Sequence, residues 1–222
     1  ISSLLRNKIR LMFSIVCLAS SVVLIFTAIS FDFSKSEILV ELFKDRMRYD
    51  CEIFVEEEPD EEFINRLTAA VPVQNLEKVY YFTRDIEANG VKEEKLIKAI
   101  SPDSQLIGIY DQKRKPLSVS DDGIILERHT AEPMGVTTGD TVYLDGIPTQ
   151  ITAISDEHED RTQYISSNSI EALGEPNMYT IVCTIDKEHQ IALMDYLFKE
   201  DNFIYTAFTS RMYDSLADAF KA

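Results

Sequence analysis

Between Leu11 and Phe31 the chain runs 21 residues, "LMFSIVCLASSVVLIFTAISF", without a charge. At about 1.5 Å per residue a helix of this length spans roughly 30 Å, the hydrocarbon thickness of a bilayer. Two other origins compete for such a run. A cleaved secretory signal has a shorter apolar region, about 7–15 residues, followed by a small-x-small site. Here the run is longer, and bulky Phe31 and Phe33 stand where cleavage would fall. A buried helix of a soluble protein rarely stays uncharged for so long, and the transmembrane reading is preferred. Arg6, Lys8 and Arg10 precede the run with no acidic neighbour, so the positive-inside rule places the N-terminus in the cytoplasm and residues after 32 outside.

Everything past the run is acidic. All 38 Asp and Glu, and 19 of the 22 Lys and Arg, lie from residue 32 onward, a balance of −19. That argues against nucleic acid and against docking on anionic lipid, and leaves a cationic partner open. Three cysteines, one of them in the apolar run, do not make a disulfide framework.

The chain organises as follows. Residues 1–33 are a cytoplasmic flank and transmembrane helix. In 34–49, Ile38, Leu39, Leu42, Phe43 and Met47 recur at helical spacing. No Gly or Pro interrupts residues 7–48, so the helix is expected to continue outward as a stalk of about 60 Å in all, able to carry a displacement across the membrane. A break near Asp32 is the alternative. "DCEIFVE" (50–56) is a strand. Asp60 caps a helix with Phe63, Ile64 and Leu67 on its apolar face, and a strand follows at Leu76–Thr83. A second unit of the same form has a strand at 178–185, a helix capped by Asp186 with Ile191, Met194, Leu197 and Phe198, and a strand at 203–209. Two such units suggest an α+β fold with a ferredoxin-like split β-α-β core, 50–83 and 177–209. Residues 84–176 are then an inserted, mostly-β subdomain, and 210–222 a helix returning to the membrane.

Within the insert, "ERHTAEPMGVTTGDTVYLDG" (127–146) gathers His129, Glu132, Asp140 and Asp145 as an active-site loop might. Turn chemistry explains it better. "GIIL" is a strand, "ERHTAEPM" a brief helix ended by Gly135, "TTGD" a turn, and Asp145-Gly146 joins two alternating runs as a hairpin. Pro148 suggests a bulge or a sheet edge there.

Chemistry finds little support elsewhere. None of the seven glycines sits in a phosphate loop, and G-x-S-x-G is absent. His158 within "DEHED" (156–160) is the best cation candidate, but an acidic run between strands reads first as a solvated loop. His129 and His189 lack partners at helical zinc spacing. No catalytic, cofactor-binding or metal-binding residue is assigned, and no cofactor is expected in this chain. If the first strands of the two units are neighbours, Cys51 and Cys183 share a face. A disulfide is conceivable outside the cell, but with the register unknown two separately buried thiols are the preferred state.

The order short strand, short helix, "GVTTGDTVYL" (135–144) and hairpin resembles the extracytoplasmic core domain of FtsX-like, MacB-like ABC transporter permeases. "LLRNKIRLMFSIVCLASSVVLI" resembles the first helix of such a permease repeat, and "YISSNSIEALGEP" (164–176) the segment leading back into the core. The resemblance covers nearly the whole chain. It implies a bacterial membrane permease subunit whose outer domain is moved by a cytoplasmic ABC ATPase, with ATP bound in that partner and a second permease repeat or subunit beside it. It also implies three more spans after Ala222. The expected client is a peptide, a lipid-linked protein or a drug to be expelled, or a surface protein to be activated; the acidic balance mildly favours a cationic peptide, and nucleic acid is not expected. A single-pass sensor with a signalling module upstream is the alternative, and an enzyme built on scattered carboxylates a third reading.

Overall fold

The computed structural model describes residues 8–156 and 161–219. Helix α1 (Lys8–Val40) runs as one helix of 33 residues, passing Asp32 without a break. Its Leu11–Ser30 stretch has a mean hydropathy of 2.5 and is 0% buried, so it is not the core helix of a globular unit. Phe26, at 73% exposure, is typical of the apolar surface it presents. The few polar side chains turn inward on the helix: Ser20, Ser21 and Thr27 donate to carbonyls one turn back at 2.8, 2.9 and 2.8 Å. Satisfying hydroxyls within the helix is what a lipid environment demands.

Beyond Val40 the helix widens into a single π-helical stretch, Glu41–Arg46, before the chain enters strand β1 (Cys51–Val55). Helix α2 (Glu61–Ala70) follows, its start fixed by the Phe63 amide donating to Asp60 Oδ1 at 2.7 Å. Strand β2 (Gln74–Ala88) is 15 residues long and crosses the 83/84 boundary read from the sequence without interruption. Its hairpin partner is β3 (Val91–Ile100). Between them Asn89 and Gly90 take φ of 51° and 80°, the two left-handed residues a two-residue turn requires. A small pair, β4 (Ile109–Tyr110) and β5 (Pro116–Leu117), precedes β6 (Gly123–Glu127) and helix α3 (Arg128–Met134). Next come β7 (Thr141–Leu144), β8 (Ile147–Ser155) and β9 (Gln163–Ser166). The chain closes with β10 (Met178–Thr184), α4 (Gln190–Leu197), β11 (Phe203–Phe208) and α5 (Thr209–Ala219).

The fold is α+β, with one mixed sheet of nine strands in the order β11-β1-β10-β2-β3-β9-β6-β8-β7. Both β-α-β units are present, and their first strands pair antiparallel with Cys51 opposite Cys183. The sheet does not stop at the fourth strand, as a ferredoxin-like core would. β7 pairs back onto β2 through Ile86↔Leu144 and Glu87↔Tyr143, so the six strands from β2 to β7 close into a barrel. The barrel and the four-strand end therefore share β2, which alternation over Leu76–Thr83 showed only in part. Phe82, Ile97, Leu126, Met134 and Ile151 fill the barrel. Phe63, Leu67, Leu193 and Leu197 cover one face of the four-strand end, each burial contributing roughly 1.5–3 kcal/mol.

Two local expectations need correction. Asp186 stands where a cap would, but its side chain accepts no amide, and a short 3-10 turn, Lys187–His189, intervenes before α4. Ile191 and Phe198, expected on the apolar stripe of α4, are 71% and 69% exposed; Gln190 and Leu193 take the buried positions instead. The two cysteines are free thiols, both buried as expected, and the register that the sequence left unknown sets them face to face.

Candidate coupling site at the base of the stalk

The polar contacts that join the apolar helix to the sheet converge on Glu41–Arg48. In the π-helical stretch Glu41 is nearly buried, and its carboxylate is held from both sides. Arg46 Nη2 lies 2.9 Å from Oε1, and Arg114 Nη2 lies 2.7 Å from Oε2. Arg46 reaches further, donating to the Asp156 carbonyl, and its guanidinium sits over the Tyr110 ring at 5.9 Å. Asp156 in turn pairs with Arg128 of α3 at 2.9 Å. The result is a continuous run of polar contacts from the stalk into the barrel, Arg114–Glu41–Arg46–Asp156–Arg128, in which the Arg46–Asp156 link is made to the Asp156 carbonyl and the others are ion pairs. With Glu41 and Arg46 at 8% and 11% side-chain exposure, solvent screens the central pair far less than a surface pair.

Backbone contacts lock the same junction. The Arg48 amide donates to Leu106 O and the Gly108 amide to Arg46 O, both at 2.9 Å, with Met47 bridged to Ile107. Gly108 is required by the approach itself, because a Cβ there would overlap the Asp45 carbonyl. On the other flank, the Thr209 amide donates to Asp50 O at 3.0 Å, and the Phe43 and Tyr213 rings meet edge-on at 5.5 Å. These two contacts bring the start of α5 against the base of the stalk.

One layer deeper, Glu52 of β1 accepts from Tyr81 at 2.6 Å and Tyr49 at 3.2 Å. Lys98 lies 5.0 Å from the Tyr81 ring centroid. Burial, then the Glu52 charge, pushes the Tyr49 hydroxyl well above its ordinary range. A satisfied buried network of this kind makes the sheet beneath the stalk rigid.

The residues singled out in the sequence fall elsewhere. His129 is exposed on α3. Asp140 closes its turn by accepting from the Thr137 amide and hydroxyl at 2.7 and 3.0 Å, and Asp145 with Gly146 turns the β7–β8 hairpin at φ of 47° and 86°. Pro148 lies opposite Tyr143 of β7, ahead of the point where β6 begins to pair with β8 at Gln150. His158, with Glu157, Glu159 and Asp160, lies outside the described residues. His189 stands beside Asp186 and Glu188 at the surface, with its Nε2 3.5 Å from Glu188 Oε1. Sequence reasoning missed Glu41, Arg46 and Arg114 and read Asp156 only as part of an acidic run, because the two ends of Glu41–Arg46 meet residues 114 and 156 with no motif spacing to signal it.

No protein-family profile and no curated protein sequence matches this chain. Among solved structures, the periplasmic region of MacB from Actinobacillus actinomycetemcomitans superposes with a TM-score of 0.54 at 9% identity, over 81% of this chain and 97% of that one. The extracellular domain of the noncanonic ABC-type transporter YknZ from Gram-positive bacteria aligns over 64% of this chain and 88% of that one, at 14% identity and a TM-score of 0.48. The first of these shows a shared fold, the one that the order of strands, short helix and hairpin resembled in the sequence.

Proposed function

We propose that this chain is part of an FtsX-like, MacB-like ABC transporter permease, its α+β unit standing outside the cell membrane on the α1 stalk. In this reading residues 1–33 hold the domain in the membrane with the N-terminus in the cytoplasm. The two β-α-β halves, 50–83 and 177–209, act as a ferredoxin-like core extended through β2 into the barrel of the 84–176 insert, and α5 leads back toward the membrane. A separate cytoplasmic ATPase binds and hydrolyses ATP, and its closure shifts α1. The stalk then moves the acidic domain to export or extract a peptide, lipid-linked or drug-like substrate, or to activate a surface partner.

The observation that carries this reading is the junction itself. A helix with the length and exposure of a membrane span is joined to a MacB-like fold through Glu41 paired on both sides by arginine. A flexible tether would serve an anchored enzyme equally well, whereas a clamped joint suits a domain that must follow its helix. The test is to purify the full-length protein from its native membrane in mild detergent and measure co-purifying ATPase activity. Recovery of an ATP-hydrolysing subunit, retained in Glu41→Ala because the junction lies on the far side of the membrane from it, supports the permease. A protein that purifies alone and carries a signalling module points to the single-pass sensor instead.

A further inference from the structure

We infer that Cys51 and Cys183 close into a cross-strand disulfide when this domain folds in an oxidising compartment. The two residues are direct partners in the antiparallel register of β1 and β10. Both are fully buried on the face that packs against α2 and α4, so their side chains leave the sheet on the same side. Directly opposed residues of an antiparallel pair have Cα atoms about 4.5–5.5 Å apart, inside the roughly 4.4–6.8 Å that a disulfide spans.

The hydrogen bonds around the pair also orient it. Thr206 of β11 donates its hydroxyl proton to Glu52 O at 2.9 Å, so its oxygen is left to accept from the Cys51 thiol, 3.0 Å away. The lone pairs of Cys51 Sγ are then free to receive the Cys183 thiol. That bond, reinforced by burial, pushes Cys183 far above the usual thiol range. Reduced and fully folded, the pair is unreactive, because the thiolate is the nucleophile. Closure therefore belongs to folding, or to opening of the edge strand. β11 is outermost in the sheet, and Thr206 lines an open cleft of about 420 Å³ between β11 and α5.

The oxidant is a disulfide, either a small molecule such as oxidised glutathione or the active-site disulfide of a thiol oxidoreductase. The Cys51 thiol gives its proton to solvent, and its thiolate attacks one sulfur of the oxidant, forming a mixed disulfide and releasing one thiolate. The Cys183 thiolate then attacks Cys51 Sγ and releases the second thiolate. The two cysteines lose two electrons and two protons, and the oxidant leaves as two thiols.

The inference rests on the extracytoplasmic placement proposed above, so two measurements are paired. Full-length protein in its native membrane is denatured, alkylated without reductant, digested and mapped by mass spectrometry. The expected product is a linked peptide pair bearing Cys51 and Cys183, lighter by two hydrogens than the two thiol peptides and separated by dithiothreitol, while Cys17 is alkylated throughout. In parallel, a Thr138→Cys variant at an exposed turn is treated on intact cells with a membrane-impermeant maleimide. Labelling of residue 138 together with two free, alkylatable thiols overturns the disulfide and leaves the placement standing. If residue 138 is protected, the placement falls. The full chain refolded in detergent with oxidised glutathione then decides the pair alone: a linked peptide upholds its geometry, and two free thiols overturn it.

Discussion

At Glu127 the chain buries a carboxylate with 0% exposure, and neither oxygen finds a hydrogen-bond partner among the described residues. Ser155, its register partner on β8, has an equally unpartnered hydroxyl. Glu52 is the contrast within one fold, a buried carboxylate that two tyrosine hydroxyls satisfy. An unsatisfied buried polar group costs about 1–3 kcal/mol, and an apolar group of similar shape recovers much of it. Glu127→Met should therefore raise the urea midpoint of the detergent-solubilised chain by the equivalent of about 1–3 kcal/mol. A lowered midpoint would mean that the carboxylate has a partner beyond the described residues. Glu52→Leu should act in the opposite sense, lowering stability by about 1–3 kcal/mol, because it strips the acceptor from Tyr49 and Tyr81. Neither role was visible in the sequence, where "CEIFVE" and "GIILE" present the two glutamates alike. What separates them is which strand lies alongside.

Single elements were far more legible, because their causes are local. Asp60 three residues before Phe63, Gly135 after a short helical run, and Asp145-Gly146 between alternating runs each specify a backbone shape with no distant partner, and each is found. Pairing between distant elements was not legible. Closure of β7 onto β2 rests on two register pairs 58 and 56 positions apart, 86 with 144 and 87 with 143, and no periodicity signals that. The π-helical stretch at Glu41–Arg46 is equally silent in sequence, since its residues suit an α-helix. Yet this stretch and the 106–108 strip joined to it carry the junction. Glu41→Gln should cost about 2–4 kcal/mol, less than a fully orphaned buried ion because Arg46 keeps the Asp156 carbonyl. Gly108→Ala pushes a methyl into the Asp45 carbonyl and should loosen the stalk from the sheet. Hydrogen exchange checks both, with faster exchange at the Arg48 and Gly108 amides and barrel amides unchanged.

Across the whole molecule, a long apolar helix, a doubly paired joint and a folded α+β unit follow one another in series. Helix α1 has 33 residues, about 50 Å at 1.5 Å each, against roughly 30 Å of hydrocarbon, so a substantial length projects beyond the lipid. The joint clamps that length to a sheet whose barrel and four-strand end share β2, so the two parts it touches are themselves held together by one continuous strand. Stability and transmission are separable in such an arrangement. Inserting Gly-Ser-Gly after Val40 breaks the helix above the clamp but leaves Glu41, Arg46 and Arg114 in place. Lengthening a connection costs little, so the melting temperature of the domain should move by less than about 2 °C. The proposed transmission should nevertheless fail. A fluorophore at residue 138 that responds to ATP in the reconstituted complex of uninterrupted protein should stop responding in the insertion variant, with ATPase activity of the partner retained. Retained signal through a flexible linker would show that the domain answers its surroundings directly and that the stalk serves only to hold it near the membrane.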